Sequence, residues 1–248
     1  MHPKSQAEIK IMREAGHRLA SILNKLQKMV QPGIKPTDIS SAARAEIKKA
    51  SLKPVVLGYD NFPDVMCVSV NDTIVHGVPR DKPIKDGDVV KLDLTLGYKG
   101  LIVDSAVTVL AGSKHSADAK RLVEGARRAL DAGIGAIRGD GTRVGDISEA
   151  VQDELGKHNL AIIRDLVGHG IGHKIHEDPN IPNYGLSGTG PLLSAGMTIA
   201  IEPMAALGDW HVNIKKDGTV VMRDSSLSAH FEHTVLITED SAEILTIS

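Results

Sequence analysis

An internal repeat constrains the fold of this 248-residue chain more than any other feature. The segments DISSAARAEIKKASL (residues 38–52) and DISEAVQDELGKHNL (residues 146–160) are identical at seven of their 15 positions. Two amphipathic helices can resemble each other by chance, and that explanation stays open here. The alternative that we favour is a duplication, with halves of about 1–112 and 113–248 packed around a pseudo-twofold axis. Because no linker separates the halves, we predict one domain over residues 1–248, with a binding cleft between its halves.

The order of the predicted elements also repeats, because in each half two helices precede a group of strands. The helices are predicted from apolar residues at helical spacing and from breakers such as Pro32-Gly33. The predicted fold class is therefore α/β (α+β). The predicted helices cover residues 6–30, a segment from Thr37 or Asp38 as N-cap to about Ala50, residues 116–138 and residues near 145–157, and the predicted strands cover about 64–70, 74–78, 88–96, 101–110 and further segments from about 162 onward.

The charge and the cysteine content of the chain narrow the class of partner and the compartment. The net charge is −2 and no basic block stands out, which argues against a nucleic acid or an anionic membrane surface as partner. The single cysteine, Cys67, excludes an internal disulfide and fits a reducing compartment. The N-terminus lacks an apolar signal core, and no run approaches the ~18 apolar residues of a membrane span. We therefore expect a soluble, cytoplasmic protein.

Two aspartates interrupt the apolar stretch KLDLTLGYKGLIVDSAV (residues 91–107). Gly97-Tyr98-Lys99-Gly100 reads as a tight hairpin turn between two strands. A turn centred on Tyr98 and Lys99 places Asp93 directly opposite Asp104, with Cβ atoms roughly 5 Å apart, where like charges repel. We therefore predict that a cation lies between the two carboxylates or that one of them is protonated.

The segment VGHGIGHKIHEDP (residues 167–179) carries His169, His173 and His176 at a spacing that would suit a zinc-binding helix. The alternating glycines argue against a helix, since each costs roughly 1 kcal/mol in a helix interior, and favour an extended or looping segment. On an extended segment His169 and His173 share a face. We expect one histidine to bind a metal while another approaches from the side.

Glu202 in GMTIAIEPM and Glu232 in SAHFEHTVLIT lie within strand-like apolar runs, where a carboxylate is expensive to bury unless it is neutralised. For any one acid the commoner explanation is a solvated face of an antiparallel sheet. Four such acids and a glycine-framed histidine together predict a shared cation site. Hard oxygen ligands favour Mn, Fe, Co or Zn, and a pair of ions ~3.5–4 Å apart would be bridged by carboxylates and would activate water. His76, before a Gly-Val-Pro turn, is either a surface histidine or part of this site.

Taken together, these segments resemble type I methionine aminopeptidases across essentially the whole chain. The resemblance implies a pita-bread fold, in which duplicated halves surround a curved antiparallel sheet with a central metal site. It implies hydrolytic removal of the initiator methionine from nascent chains whose second residue is small. The expected partners are N-terminal peptides and the ribosome, and the expected form is a monomer of the short bacterial type. The segments that carry the resemblance are NDTIVHG, KLDLT, LIVDSAV, GHGIGHKIHEDP, IAIEPM and SAHFEHTVLIT.

The resemblance also implies a role for each residue of the site. Asp93 is the expected terminal ligand of one of two divalent ions, Asp104 and Glu232 are the expected bridges, and His169 and Glu202 complete the second ion. Glu202 is also the expected carrier of a proton from water to the leaving amine.

Other residues are expected to contact the peptide. His76 and His176 are the expected groups that stabilise the tetrahedral intermediate. The methionine pocket is expected to involve Tyr59, Phe62 and Cys67.

Three positions depart from the family's pattern. Ile175 stands where an aromatic residue is common, and Thr219 stands about where a tryptophan often occurs, which predicts a more open pocket. Trp210 either compensates for that tryptophan or caps a surface turn. Lys91, two residues before Asp93, is expected to perturb the site or to turn away from it. A proline-specific peptidase of the same fold and a non-catalytic relative that binds proteins are the alternatives.

Overall fold

The structure is a computed structural model that describes residues 3–248. Over that range the chain forms four α-helices, a short 3₁₀ turn at Tyr59–Asn61 and fifteen strands. The helices are α1 (Gln6–Gln27), α2 (Pro36–Lys49), α3 (Ala117–Gly135) and α4 (Val144–Lys157). The strands are β1 (Lys53–Pro54), β2 (Cys67–Val70), β3 (Thr73–Val75), β4 (Val89–Tyr98), β5 (Leu101–Leu110), β6 (Ala161–Ile162), β7 (Gly168–Gly170), β8 (Glu177–Ile181), β9 (Thr198–Ile201), β10 (Met204–Ala206), β11 (Val212–Ile214), β12 (Val220–Met222), β13 (Ser228–His230), β14 (Glu232–Ile237) and β15 (Ala242–Ile244).

Within residues 3–248 nine strands form one antiparallel sheet, which we call the main sheet. Its order is β1-β4-β5-β14-β9-β7-β8, with β2 also paired to β4 and β15 also paired to β14. The β5–β14 pair joins strands of the first half to strands of the second half. Two three-stranded sheets, β13-β10-β6 and β11-β12-β3, complete the β structure.

The apolar core has two large parts, each built mainly from one half of the chain. In the first part, residues of α1 and α2 such as Leu19 pack with β4 residues such as Leu94. In the second part, Leu122 of α3 and Ile147 of α4 pack with strand residues such as Val235. Each helix pair thus buries its apolar face against strands of its own half of the main sheet, as expected for amphipathic helices. None of the helices in residues 3–248 is both long and apolar enough to cross a bilayer.

In each half an aspartate of the sequence repeat, Asp38 or Asp146, caps the start of the second helix with its side chain. The predicted N-cap, Thr37 or Asp38, is wrong, because a proline precedes Thr37 and the fixed φ of proline suits the first position of a helix. The cap is Lys35, whose backbone N–H donates to Asp38 Oδ2 (3.0 Å). In the other half the backbone N–H of Arg143 donates to Asp146 Oδ2 in the same way (2.8 Å). Part of the sequence repeat therefore records a repeated helix start; the duplication itself stays a prediction.

The β4–β5 hairpin turns one residue later than predicted. The turn residues are Lys99 and Gly100, both with positive φ (48° and 85°), as a two-residue type I′ turn requires. Asp93 therefore pairs with Ala106 rather than with Asp104, and Asp104 pairs with Thr95. The prediction that the two carboxylates lie directly opposite is wrong, but a shift of two positions keeps both on the same face of the sheet.

Lys91 turns away from the cleft and ties three elements together. Its side chain is buried (1% exposed), and its Nζ donates to the backbone oxygens of Asn71 (2.7 Å) and Ser228 (3.1 Å). Asn71 lies between β2 and β3, and Ser228 begins β13. By donating to both carbonyl oxygens, the buried amine satisfies acceptors that would otherwise lack one of their donors.

We expect Lys91→Met to lower the free energy of unfolding by about 1–3 kcal/mol, because the variant leaves buried carbonyl oxygens short of a donor. Urea unfolding at equilibrium measures the loss. Lys120→Met, on an exposed position of α3, is the control and should stay within about 0.5 kcal/mol of the parent protein. Equal unfolding free energies for the Lys91 variant and the parent would contradict this account.

Candidate metal centre and peptide cleft

One cleft of about 420 Å³ opens onto the main sheet and collects all the predicted site residues. The acids and the first histidine come from adjacent strands: Asp93 from β4, Asp104 from β5, His169 from β7 and Glu232 from β14. Glu202 follows the last residue of β9. Strands that neighbour each other in a sheet hold such side chains at fixed separations, so the sheet itself builds the cluster. The predicted residues that line the cleft are Tyr59, Phe62, Cys67, His76, Asp93, Asp104, His169, His176, Glu202 and Glu232.

The donor atoms of this cluster lie close enough to share ions. One potential ligand atom from each of Asp104, His169 and Glu232 lies within 4.8 Å of the other two. The carboxylate of Glu202 approaches His169, with 3.6 Å between Oε1 and Nε2. Asp104 Oδ2 accepts from the Thr95 hydroxyl (2.8 Å), whereas Asp104 Oδ1 is buried and has no hydrogen-bond partner within residues 3–248.

Burial raises the pKa of all four carboxyl groups. The pKa of Asp93 rises to about 6 and that of Glu202 rises to about 8, in both cases chiefly through desolvation. Desolvation, followed by repulsion from the other carboxylates, raises the pKa values of Asp104 and Glu232 well above their ordinary range. Among residues 3–248 the cleft is lined by no lysine and no arginine. The chain itself therefore offers no fixed cation to offset these charges.

The residues of the cluster fit divalent cations. Asp104 Oδ1 is an unpaired buried acceptor within residues 3–248, and a carboxylate-rich set with one imidazole is a donor set for Mn, Fe, Co or Zn. His169 suits metal binding because burial lowers its pKa to about 4, which leaves the imidazole neutral near pH 7. Its Nδ1 lies 3.0 Å from the backbone oxygen of Gly170, a contact that orients Nε2 towards the carboxylates.

The histidine-rich segment is not a helix, which confirms the prediction. Its extended part is shorter than expected. Strand β7 stops at Gly170, and the chain then loops before β8 begins at Glu177. The prediction that His169 and His173 share a face is therefore wrong. His173 points away and its Nε2 contacts Glu8 Oε1 (2.7 Å), whereas the His176 ring lies edge-on to the His169 ring with centroids 4.5 Å apart.

Two histidines enter the cleft beside the acid cluster. His176 Nδ1 lies 3.2 Å from the hydroxyl of Tyr59, which orients the imidazole. His76 follows β3 and adopts a positive φ of 55°. A non-glycine residue in this conformation costs about 1–3 kcal/mol and is frequent at functional sites. Both side chains are solvent-exposed within the cleft and can reach a bound peptide.

The residues expected to form the methionine pocket all line the cleft. Ile175 lines the cleft together with Tyr59, Phe62 and Cys67. Thr219 faces a neighbouring cavity, and at this place the main cleft is lined by Gly218. Trp210 does not line the cleft but stacks on His211, with ring centroids 3.8 Å apart. Trp210 therefore does not compensate for a missing aromatic wall.

His230 is a cleft residue that the sequence argument did not assign. Its side chain is 2% exposed, neither ring nitrogen has a hydrogen-bond partner within the described residues, and its Nε2 lies 3.4 Å from Glu202 Oε2. The sequence signal was its position two residues before Glu232, because alternate residues of extended chain share a face.

The fold and this acid-lined cleft define a class of metal-dependent peptidases. Residues 10–239 match the family described as metallopeptidase family M24. Prolidase from Pyrococcus furiosus superposes with a TM-score of 0.78 at 22% identity, over 99% of this chain and 65% of that protein, and shows the fold alone. The predicted α/β class and pita-bread fold are confirmed, as is the predicted metallopeptidase class.

Closer relatives define the particular group. Methionine aminopeptidase of Clostridium perfringens is 41% identical over 98% of this chain and 98% of that protein, and that of Mycoplasma capricolum is 40% identical over 98% and 97%. The crystal structure of methionine aminopeptidase from Thermotoga maritima superposes with a TM-score of 0.97 at 44% identity, over 100% of both chains. The chain belongs to the methionine aminopeptidases of metallopeptidase family M24.

Proposed function

We propose that this protein hydrolyses the first peptide bond of chains that begin with methionine and have a small second residue. The observation that carries the proposal is the convergence of Asp93, Asp104, Glu202, Glu232 and His169 in one cleft, within a chain that matches methionine aminopeptidases over its full length. The cofactor of the reaction is a pair of divalent ions, of Mn, Fe, Co or Zn.

The ligand roles follow from the positions of the donors. Asp104 and Glu232 come from the paired strands β5 and β14 at the centre of the cluster, and we assign them as the shared ligands. Asp93 lies on the outer side, on β4, and would hold one ion; His169 and Glu202 lie on the other side and would hold the second. When bound, the two ions would activate water as a nucleophile and stabilise negative charge on the peptide oxygen.

The side chains around the cluster bind the peptide and move protons. His176 and His76 reach the cleft from opposite halves of the chain and donate hydrogen bonds to the oxygen on which charge develops. Glu202 lies between the imidazoles of His169 and His230, and its carboxylate takes a proton from the attacking water and passes it to the leaving amine. Tyr59 holds His176 in position through its hydroxyl.

An apolar wall receives the methionine side chain. Phe62, Cys67 and Ile175 supply apolar and sulfur-bearing surface next to the acid cluster. A thioether packs well against such surface because it is polarisable and flexible. Since Gly218 contributes no side chain to the cleft wall, the pocket accepts side chains somewhat larger than that of methionine.

Peptide hydrolysis separates the proposed function from its alternatives. With Mn²⁺ or Co²⁺ added, Met-Ala-Ser is expected to be cleaved after methionine, whereas Xaa-Pro peptides with a charged first residue are expected to be left intact, because the cleft presents an apolar wall for that residue. After chelation of divalent ions, turnover of Met-Ala-Ser should be lost. Preference for Xaa-Pro peptides would favour the proline-specific alternative, and an absence of turnover with every ion would favour the non-catalytic one.

The proposed setting of the reaction is the cytoplasm, where a monomer meets nascent chains at the ribosome. Support comes from the single free cysteine, Cys67, and from a cleft that one chain completes by itself. Light scattering of the purified protein tests the monomer, and co-sedimentation with ribosomes that carry nascent chains tests the encounter. A stable dimer, or equal sedimentation with and without ribosomes, would contradict the respective proposal.

A further inference from the structure

The loop that carries His176 is held at its start by the main sheet. The backbone N–H of Ile171 donates to Thr198 O (3.0 Å), and the Thr198 hydroxyl donates to Ile171 O (2.5 Å). The backbone oxygen of Gly172 accepts from Ile102 N–H (2.7 Å). These bonds fix the first two residues after β7, and at the other end of the loop the backbone of Glu177 pairs with Gly170 as β8 begins. The turn between these ends, residues 173–176, depends on other contacts.

The side chain of Glu177, the residue after His176, holds the rest of the loop through hydrogen bonds. Its Oε1 accepts from the backbone N–H groups of His173 (2.6 Å) and Lys174 (3.0 Å). Its Oε2 lies 3.2 Å from Nζ of Lys4, near the start of the described chain. One carboxylate thus joins the turn before His176 to a lysine that is 173 residues away in sequence.

Lys4 reaches Glu177 through the interior. Its side chain is fully buried, and its backbone N–H donates to Gly196 O (2.7 Å), which fixes where the side chain starts. The side chain passes over Gly172, where a Cβ would overlap Lys4 Cε. A buried ammonium group is held firmly to its carboxylate, because separation would leave both charges desolvated and unpaired.

Lys4 does not line the cleft and so cannot touch a bound peptide. We propose that Lys4 is a positioning residue for His176: its ammonium group fixes the Glu177 carboxylate, which holds the turn that presents His176 to the substrate. The proposal rests on the proposed function, in which His176 contacts the peptide. A second contact of the same segment, between Glu8 and His173, supports the loop from the solvent side.

A double-mutant cycle distinguishes positioning from general stabilisation. With Met-Ala-Ser and saturating Mn²⁺, Lys4→Met is expected to lower kcat by roughly 10- to 100-fold, since a catalytic group misplaced by ~1 Å can cost about 10²-fold. In a His176→Ala background the same change should lower kcat less than about twofold, because the group that Lys4 positions is absent. Arg13→Gln breaks an ion pair between α1 and Glu243, and it should leave kcat unchanged.

A spectroscopic readout is independent of activity. The ring C–H signals of His176 in a ¹H–¹³C spectrum, identified by their loss in His176→Ala, are expected to shift in Lys4→Met and to stay in place in Arg13→Gln. If the parent protein fails to cleave methionyl peptides, the proposed function fails while this measurement still tests the contact.

Two results would overturn the positioning role. One is an equal loss of kcat from Lys4→Met with and without His176. The other is an unchanged His176 signal in Lys4→Met. If Lys4→Met does not fold, Glu177→Gln takes its place in both measurements, with the same expected and overturning results.

Discussion

Asp104→Asn is expected to lower kcat/KM for Met-Ala-Ser by about 10³-fold, the scale on which loss of one preorganised charged group slows catalysis. Asp104 Oδ1 is buried and unpaired within residues 3–248, and one carboxylate oxygen of Asp104 lies within 4.8 Å of potential ligand atoms of His169 and Glu232. An amide keeps the shape of the side chain and can still accept from Thr95, but it carries no charge to hold a cation.

Metal analysis complements the kinetic measurement. After dialysis against a low concentration of Mn²⁺, the Asp104→Asn protein should retain less metal per chain than the parent protein, because the variant removes a shared ligand. Asp153→Asn, on an exposed position of α4, is the matched control and should keep both activity and metal. An Asp104→Asn protein with the turnover and metal content of the parent would refute the assignment of Asp104.

The metal-free protein is expected to lose stability as the pH rises from 6.5 to 8, by up to about 1.4 kcal/mol per pH unit for each carboxyl group that keeps its proton in the folded state. Burial holds the pKa of Glu202 at about 8 and those of Asp104 and Glu232 well above their ordinary values. In this range the folded state keeps protons that the unfolded chain has already released. Stability is therefore highest on the acidic side and falls as the pH rises through the folded-state pKa values. Asp93, with a pKa of about 6, contributes mainly below the range.

Other buried groups act in the opposite direction, and they set the choice of range. Burial lowers the pKa values of His169, His230 and His233 to about 4, so their effect increases stability with pH and fades over about one pH unit above 6.5, as the unfolded histidines lose their remaining protons. Burial also lowers the pKa of Lys91 to about 7, which offsets one carboxyl group above that pH. The three carboxyl groups outweigh that single lysine.

Thermal unfolding of the metal-free protein at several pH values measures this dependence. Added Mn²⁺ should raise the Tm more at pH 8 than at pH 6.5, since binding must displace fewer protons there. Glu202→Gln removes one of the titrating groups and should flatten the decline between pH 6.5 and 8. A Tm of the metal-free protein that rises over this range, in parent and variant alike, would contradict the charge balance described for the cleft.

The sequence predicted where the chemistry lies better than how the chain turns. Asp93, Asp104, Glu202 and Glu232 could be identified because a carboxylate within an apolar strand has few stable explanations. The sequence could not give the hairpin register, because a loop with several turn residues allows more than one centre. The choice of Lys99-Gly100 depends on which residues adopt positive φ.

Two other features depend on tertiary contacts that no local pattern encodes. His173 lies outside the cleft because the chain loops after Gly170 and because its ring contacts Glu8 of α1. Lys91 is an atypical residue in its strand, and its role becomes clear only when Asn71 and Ser228, distant in sequence, present carbonyl oxygens to it. Knowing that a side chain is buried does not identify its hydrogen-bond partners, because these come from elements that are distant in sequence and meet only in the packed fold.

The central β5–β14 pair has a consequence for how such a catalyst can arise. Asp93 and Asp104 belong to the first half of the chain, whereas His169, Glu202 and Glu232 belong to the second. Neither half therefore supplies all five ligands of the proposed metal site. If the halves descend from one gene, a half-length ancestor could bind both ions only as a dimer. Fusion of two copies of the gene would then have joined the two halves in one chain.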